Sequence, residues 1–320
     1  MTDTLSEIAR PVENELRTVE EIILSCLSST EEKLGELERY TLESKGKRIR
    51  PTATLLSGAV AGRLREANLY LAAASELIHM ATTVHDDVID GAAVRRGKAT
   101  INASWGNTVA VLFGDYLLSQ AFGILCRSAD SGILPEMISM TREVCEGEIY
   151  QLRRRYALSM TEDEYRGTVS MKTASLFSTC CRLSASLAGA PRPIQESLST
   201  FGRRFGIAYQ IIDDCLDISE EHRGKDRFKD IEGGRVTLPL IKALAALHGE
   251  ERERLAIAFR GGEVNTCRRD ITAAGALSAC RRDAEILLDQ ARGDLRPLPD
   301  SPYRDALIRL THFLLNATSS

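Results

Sequence analysis

An all-α protein is predicted, on three observations. Ala, Leu, Glu and Arg prevail over β-branched and aromatic residues, which favours helix over sheet. Only nine prolines interrupt the 320 residues, with none between Pro51 and Pro135 or between Pro135 and Pro191, so long helices are free to run. No segment alternates apolar and polar residues for long enough to insist on a strand. Helices are expected near 5–27, 31–43, 51–60, 66–90, 105–128, 134–155, 162–188, 194–220, 235–247, 251–259, 276–292 and 301–316, with Gly, Pro, Asp or Ser between them.

Taken in order, the first stretch is acidic and amphipathic with no apolar signal core. Pro51 suits the first turn of a helix, and Gly91 suits the residue just past the end of the one over 66–90. The stretch around Met171-Lys172-Thr173-Ala174 is small and apolar apart from its lysine, which must either snorkel or meet an anion. No long linker, composition shift, low-complexity tract or fixed-period repeat appears, so one domain spanning 1–320 is expected, and 43% hydrophobic content is ample for its core.

The net charge of −4 is too mild to imply nucleic acid or an anionic membrane as a general partner. The eight cysteines are scattered, with no C-x-x-C pair and no histidine spacing suited to zinc, and are expected to be reduced core residues. Nowhere do ~18 uncharged apolar residues run together, so no transmembrane segment is expected, and a soluble cytoplasmic protein is.

Two acid triplets share one pattern: Asp86-Asp87-Val88-Ile89-Asp90 and Asp213-Asp214-Cys215-Leu216-Asp217. On a helix Asp86 and Asp90 lie ~40° apart on one face, with Asp87 beside them. The triplets follow Leu77-Ile78-His79-Met80 and Tyr209-Gln210-Ile211-Ile212, so the acids grow out of apolar helix. Charge buried there without a partner is costly. Magnesium suits such a cluster, because it prefers carboxylate oxygen, keeps several waters and bridges to substrate phosphates. His79 lies nearly in line with Asp86, ~10 Å along the axis.

Cations surround both triplets. Lys45-Gly46-Lys47-Arg48-Ile49-Arg50 precedes Pro51, where a helix N-terminus attracts anions. Arg95-Arg96-Gly97-Lys98 follows the first triplet, and adjacent arginines can hold two different phosphates bidentately. Gly224-Lys225-Asp226 and Lys229-Asp230 follow the second. The count of cations around two acid clusters implies two anionic substrates.

In combination and order, the basic loop, both D-D-x-x-D triplets, the Arg-Arg-Gly and the Lys-Thr resemble those of the trans-polyprenyl diphosphate synthases, class I head-to-tail prenyltransferases. The resemblance runs from about Lys45 to Pro239 and more weakly onward. It implies a single large bundle of long helices around a deep central cavity, with the triplets facing one another at its mouth. Lys47, Arg50, His79 and Arg96 match the positions that hold isopentenyl diphosphate. Arg95, Lys172, Thr173, Gln210 and Lys225 match those that serve the allylic diphosphate. Asp86, Asp90 and Asp213 match the principal magnesium ligands, and Asp87, Asp214 and Asp217 complete the triplets as direct or water-mediated ligands of what the family implies are three ions.

The reaction so implied ionises the allylic C–O bond, lets the isopentenyl double bond attack the carbocation, and passes the lost proton to the released pyrophosphate. Three departures from the family pattern, Lys45, Phe228 and Arg235, bear on the basic loop and on the allylic-diphosphate contacts after Asp217. The family relates product length to residues one turn before the first triplet. Here these are Ala81 and Thr82, both small, so a long-chain, hexaprenyl to decaprenyl product for a quinone side chain is expected, with Tyr116, Leu117 and Phe122 as candidate floor residues. A geranylgeranyl or farnesyl synthase, and a non-catalytic subunit of a heteromeric synthase, are the alternatives. A terpene cyclase is disfavoured by the intact second triplet. A homodimer is what the resemblance implies.

Overall fold

Helix starts are set locally: Thr4, Thr100 and Thr161 each accept a backbone N–H in the first turn that follows, and Pro193 and Pro239 occupy first turns. The structure, a computed structural model, describes residues 4–28, 31–43, 46–95, 97–128, 130, 132–219 and 228–316. Lys45, Arg96, Gly224, Lys225 and Asp226 lie outside these residues.

In chain order the elements are α1 (Leu5–Ala9), α2 (Glu13–Cys26), α3 (Glu32–Glu43), α4 (Ile49–Ala61), α5 (Glu66–Ile89), a hairpin of β1 (Val94–Arg95) and β2 (Lys98–Ala99), then α6 (Ile101–Trp105), α7 (Asn107–Leu125) and α8 (Ile133–Arg153). After these come α9 (Glu162–Val169), a π-helical turn (Ser170–Ala174), α10 (Ser175–Leu187), α11 (Arg192–Ile218), α12 (Lys229–Glu232), α13 (Leu238–Ala246), α14 (Gly249–Arg260), α15 (Val264–Ala273), α16 (Ala276–Asp294) and α17 (Pro302–Asn316). The protein is all-α, as its composition predicts, and one buried apolar cluster extends from Ile8 to Leu314.

Three differences from the sequence reading have physical causes. The short hairpin pairs Val94 with Ala99 around Gly97 at φ +77°, a turn whose strands are too brief to show alternation. The expected helix over 162–188 is interrupted by the π turn, where the Ser175 N–H reaches back to the Ser170 carbonyl. The helix α15, in a segment read as loop, is mainly polar outside Val264, Cys267 and Ile271 and so shows little apolar stripe.

Two helices organise the interior. Leu71, Ala72, Ala73, Ala74, Leu77, Ile78 and Ala81 of α5 are fully buried, the pattern of a helix surrounded by others, here α2, α4, α7 and α10. Asn68 ties its first turn to α10, donating to the Ser184 carbonyl at 2.8 Å. The helix α7 is long and apolar enough to cross a membrane, with Asp115 its one charged residue. Its Phe113, Leu117 and Ala121 are buried in the cluster that α5 shares.

The other organising helix, α11, approaches α10 and the π turn through glycines. A Cβ on Gly202 would stand 2.6 Å from the Phe177 carbonyl oxygen, and one on Gly206 2.6 Å from the Ala174 Cα. From the opposite side, a Cβ on Gly147 of α8 would stand 2.9 Å from the Lys172 backbone nitrogen. The π turn is therefore clasped by α8 and α11 at distances that only glycine permits. Alanine in a helix interior gains about 1 kcal/mol over glycine in propensity, yet overpacking costs typically about 1–3 kcal/mol, and here the obstacle is backbone. Gly206→Ala is expected to lose stability in urea unfolding. A gain of about 1 kcal/mol would show that the helices are not in contact there.

Candidate active site

The C-terminal turn of α5 carries the first triplet, which ends at Gly91 with φ +61°. Its acids part company. Asp86 lies 3.7 Å from the Lys172 Nζ on the π turn. Asp87 is buried and accepts both of its bonds from Arg95 Nε, at 2.9 and 3.0 Å. Asp90 accepts from two arginines, Arg155 at 3.0 Å and Arg235. The lysine left open between snorkelling and an anion thus meets anions: besides Asp86, it pairs with Glu148 of α8 and donates to Gln151 Oε1 at 3.1 Å.

The second triplet closes α11. Asp214 is buried and accepts from Tyr165 Oη at 2.5 Å and from Gln210 Nε2 at 2.8 Å. Gln210 in turn accepts the Thr173 hydroxyl at 2.8 Å, so the Lys-Thr pair of the π turn is tied to α11. Asp217 accepts the backbone N–H groups of Lys229 and Asp230, each at 3.3 Å. Asp213 also has a partner within the protein. Asp230, with its carboxylate buried, joins the triplets: Arg235 bridges it, at 3.4 Å, to Asp90.

Electrostatics follow from this crowding. Burial pushes Asp86 up to about 6, against the pull of Lys172 and with the push of Glu148. Burial and Asp230 push Asp217 up to about 7 and raise Asp214 well above the carboxylate range. Asp230 is raised by burial, with Arg235 opposing and Asp90 adding to the rise. Burial works against the charge of Arg235, but Asp230 and Asp90 outweigh it and raise its pKa. Among the described residues the carboxylates here outnumber the cations, and that excess together with an all-oxygen donor set fits a hard divalent ion such as magnesium. Among the described residues no three acids converge so as to enclose an ion by themselves. Such an arrangement suits an ion that keeps waters and is shared with substrate oxygens.

The basic loop is positioned separately. Arg48, left-handed at φ 53°, pairs with Glu20 at 2.5 Å and with Glu76 at 2.6 Å. Its anchoring sets up its neighbours. The Arg50 guanidinium lies 5.0 Å from the Phe177 ring centroid and 5.7 Å from that of Tyr209, with its Nε buried and unpartnered. Lys47 stands 5.6 Å over the Phe313 ring of α17. A cavity of ≈ 310 Å³ is lined by Gly46, Arg48, His79, Thr83, Asp87 and Arg95 among others. Neither Lys47, Arg50, Ala81 nor Asp86 lines it. Of the candidate floor residues, Tyr116 turns to α3 and donates to Glu38 at 2.9 Å, while Leu117 is fully buried and Phe122 partly so.

The structure brings together Asp86, Asp90, Lys172, Thr173, Gln210, Asp214 and Asp217, and sets Asp87 with Arg95 and His79 beside the cavity. Glu148, Arg155, Tyr165 and the linking role of Asp230 were missed in the sequence. Glu148 gives the one usable signal, an acid directly after Gly147 on the inner face of α8.

An all-helical bundle with two carboxylate clusters linked through Asp230 and rimmed by cations defines a class of diphosphate-handling enzymes. The polyprenyl synthetase family model matches residues 31–274, and the chain belongs to that family. It is accordingly a prenyltransferase. Over 323 residues it is 36% identical to the all-trans-nonaprenyl-diphosphate synthase (geranyl-diphosphate specific) of Rhodobacter capsulatus, covering 98% of each chain. It is 34% identical to the octaprenyl diphosphate synthase of Escherichia coli (strain K12), covering 96% of this chain and 97% of that one. Among solved structures, a polyprenyl synthase from Caulobacter crescentus CB15 complexed with calcium and isoprenyl diphosphate superposes with TM-score 0.93 at 31% identity over 98% of both chains. A decaprenyl diphosphate synthase from Rhodobacter capsulatus also gives TM-score 0.93, at 31% identity over 98% and 99%.

Because the folded-state pKa of Asp217 lies above its ordinary 3.8, its stabilising effect is complete below that value and is lost as pH rises through about 7. Metal-free protein is expected to lose stability relative to Asp217→Asn between pH 4 and pH 7 in urea unfolding. Parallel pH profiles for the two proteins would contradict the buried, acid-crowded placement.

Proposed function

We propose that this chain condenses isopentenyl diphosphate with an allylic diphosphate to give a long-chain all-trans polyprenyl diphosphate, a quinone side-chain precursor. The observation that carries the reading is the linkage of the two triplets: Asp90, Arg235, Asp230 and Asp217 form one continuous contact chain across the site. The proposed metal ligands are Asp86, Asp90 and Asp213, with Asp87, Asp214 and Asp217 completing the sets. Magnesium there, three ions as in the sequence reading, would supply positive charge against the diphosphate. The Caulobacter crescentus relative, crystallised with calcium, supports a divalent ion.

The chain's own groups then have distinct tasks. Lys172 and Arg95 face or border the acids and are placed to hold allylic diphosphate oxygens once metal balances the carboxylates. Lys225 joins them and Arg96 serves the isopentenyl diphosphate in the sequence reading. Thr173 donates its proton to Gln210, which leaves the threonine oxygen lone pairs free to face positive carbon. Lys47, Arg50 and His79 hold isopentenyl diphosphate, and the packing of the Arg50 guanidinium against the Phe177 and Tyr209 rings fixes it. Buried apolar walls exclude water from the carbocation. The departing pyrophosphate takes the final proton.

A long product is supported by Ala81, small and fully buried one turn before Asp86, and by relatives named for octaprenyl and nonaprenyl products. The chain works as one domain in the cytoplasm. It pairs as a homodimer, which the exposed apolar residues Val111 and Leu112 of α7 support, at 42% and 63% exposure. A subunit role in a heteromeric synthase is the second reading, because a 37% identical relative is named heptaprenyl diphosphate synthase component 2.

Purified protein with magnesium, isopentenyl diphosphate and several allylic primers is expected to turn over alone. Turnover only with a second chain would favour the subunit reading. Asp86→Asn and Asp213→Asn should each lower kcat by about 10²-fold or more, read as steady-state product formation, and unaltered rates would remove the carboxylates from the chemistry. Ala81→Phe should shorten the product on chromatography, whereas an unchanged length would place the tail elsewhere.

A further inference from the structure

The segment after α8 and the segment after α12 are clamped together. Tyr156, at φ 61°, donates its backbone N–H to the Gly234 carbonyl at 2.8 Å, and its ring lies so close that a Cβ on Gly234 would stand 2.3 Å from it. Each clamp residue is adjacent to an arginine. Arg155 and Arg235, delivered from segments far apart in sequence, grip opposite oxygens of Asp90.

The two arginines are not equivalent. Arg235 has a second anchor in Asp230 at 3.4 Å. For Arg155, Asp90 is the ion-pair partner among the described residues, and its Nε is buried without any hydrogen-bond partner. A buried unpaired guanidinium N–H is costly. It marks a fork whose hydrogen bonds are incomplete.

We propose that Arg155 is a further substrate-contacting residue, which moves from Asp90 to the oxygens of the allylic diphosphate when a divalent ion binds. The inference rests on the reading of Asp90 as a metal ligand. With a divalent ion held by Asp90, that carboxylate's charge would be offset and its hold on both arginines would weaken together. Arg235 then stays on Asp230. Arg155 is released beside the arriving anion, and a planar fork with free N–H groups is matched to two diphosphate oxygens. Paired with Asp90, the same side chain offsets that carboxylate's charge.

The test is calorimetric binding of farnesyl diphosphate, with magnesium and no isopentenyl diphosphate, to wild type, Arg155→Met and Arg155→Lys. Arg155→Met is expected to weaken farnesyl diphosphate binding roughly tenfold or more, the size of a lost charge-assisted bond. Binding of isopentenyl diphosphate should change by less than about twofold on this scheme, and Arg155→Lys, which keeps the charge but not the fork, should fall between. A thermal melt of the metal-free variants separates a folding defect from a lost contact. Unchanged farnesyl diphosphate affinity overturns the proposal, as does an equal loss for both substrates. Should wild type itself bind no prenyl diphosphate with magnesium, the functional reading fails first. Wild-type binding with an unaffected Arg155→Met defeats this inference alone.

Discussion

Carboxylates buried among apolar helices must be neutralised, and the arrangement of this protein's functional end follows from how that is done. Asp86 has Lys172, Asp87 has Arg95, Asp90 has Arg155 and Arg235, and Asp214 has Tyr165 and Gln210. Removing one partner from such a set leaves an uncompensated buried charge, which costs far more than the pair contributes. The arrangement is therefore held less by attraction than by the penalty for any alternative. Asp86, Asp217 and Asp230 are nevertheless pushed up, by burial first and by neighbouring carboxylates, and a divalent ion would relieve that crowding.

Helix packing makes the crowding possible. Glycines at 147 and 206 let α8 and α11 close on the π turn, and from that turn Lys172 reaches Asp86 while Thr173 turns to Gln210. The second acid of each triplet also fixes a neighbouring side chain: Asp87 accepts from Arg95, and Asp214 from Gln210. The outer acids, Asp86 and Asp90, face the cations of the site.

Much of this was legible in the sequence because it is written in local spacing. The helical class came from composition and sparse proline. The triplets, the Arg95-Arg96 pair and the basic loop before Pro51 could be read as units because their residues are neighbours in the chain. Partners brought in by tertiary packing could not. Arg155 lies among three arginines with no feature to single it out, Tyr165 sits in a polar run, and Asp230 stands beside a lysine that drew attention to cations. The π turn also escaped, because one inserted residue leaves the apolar pattern on either side intact. The relatives establish the family, and the roles of individual residues rest on the geometry.

On the function proposed above, the two aspartate clusters share divalent ions with the allylic diphosphate. Crystals grown with Mn²⁺ and an unreactive allylic diphosphate analogue test it directly by anomalous scattering. The account predicts metal peaks bridging the analogue's phosphates to Asp86 and Asp90 on one side and to Asp213 on the other. Peaks absent from these carboxylates, with the analogue bound by arginine and lysine alone, would contradict it.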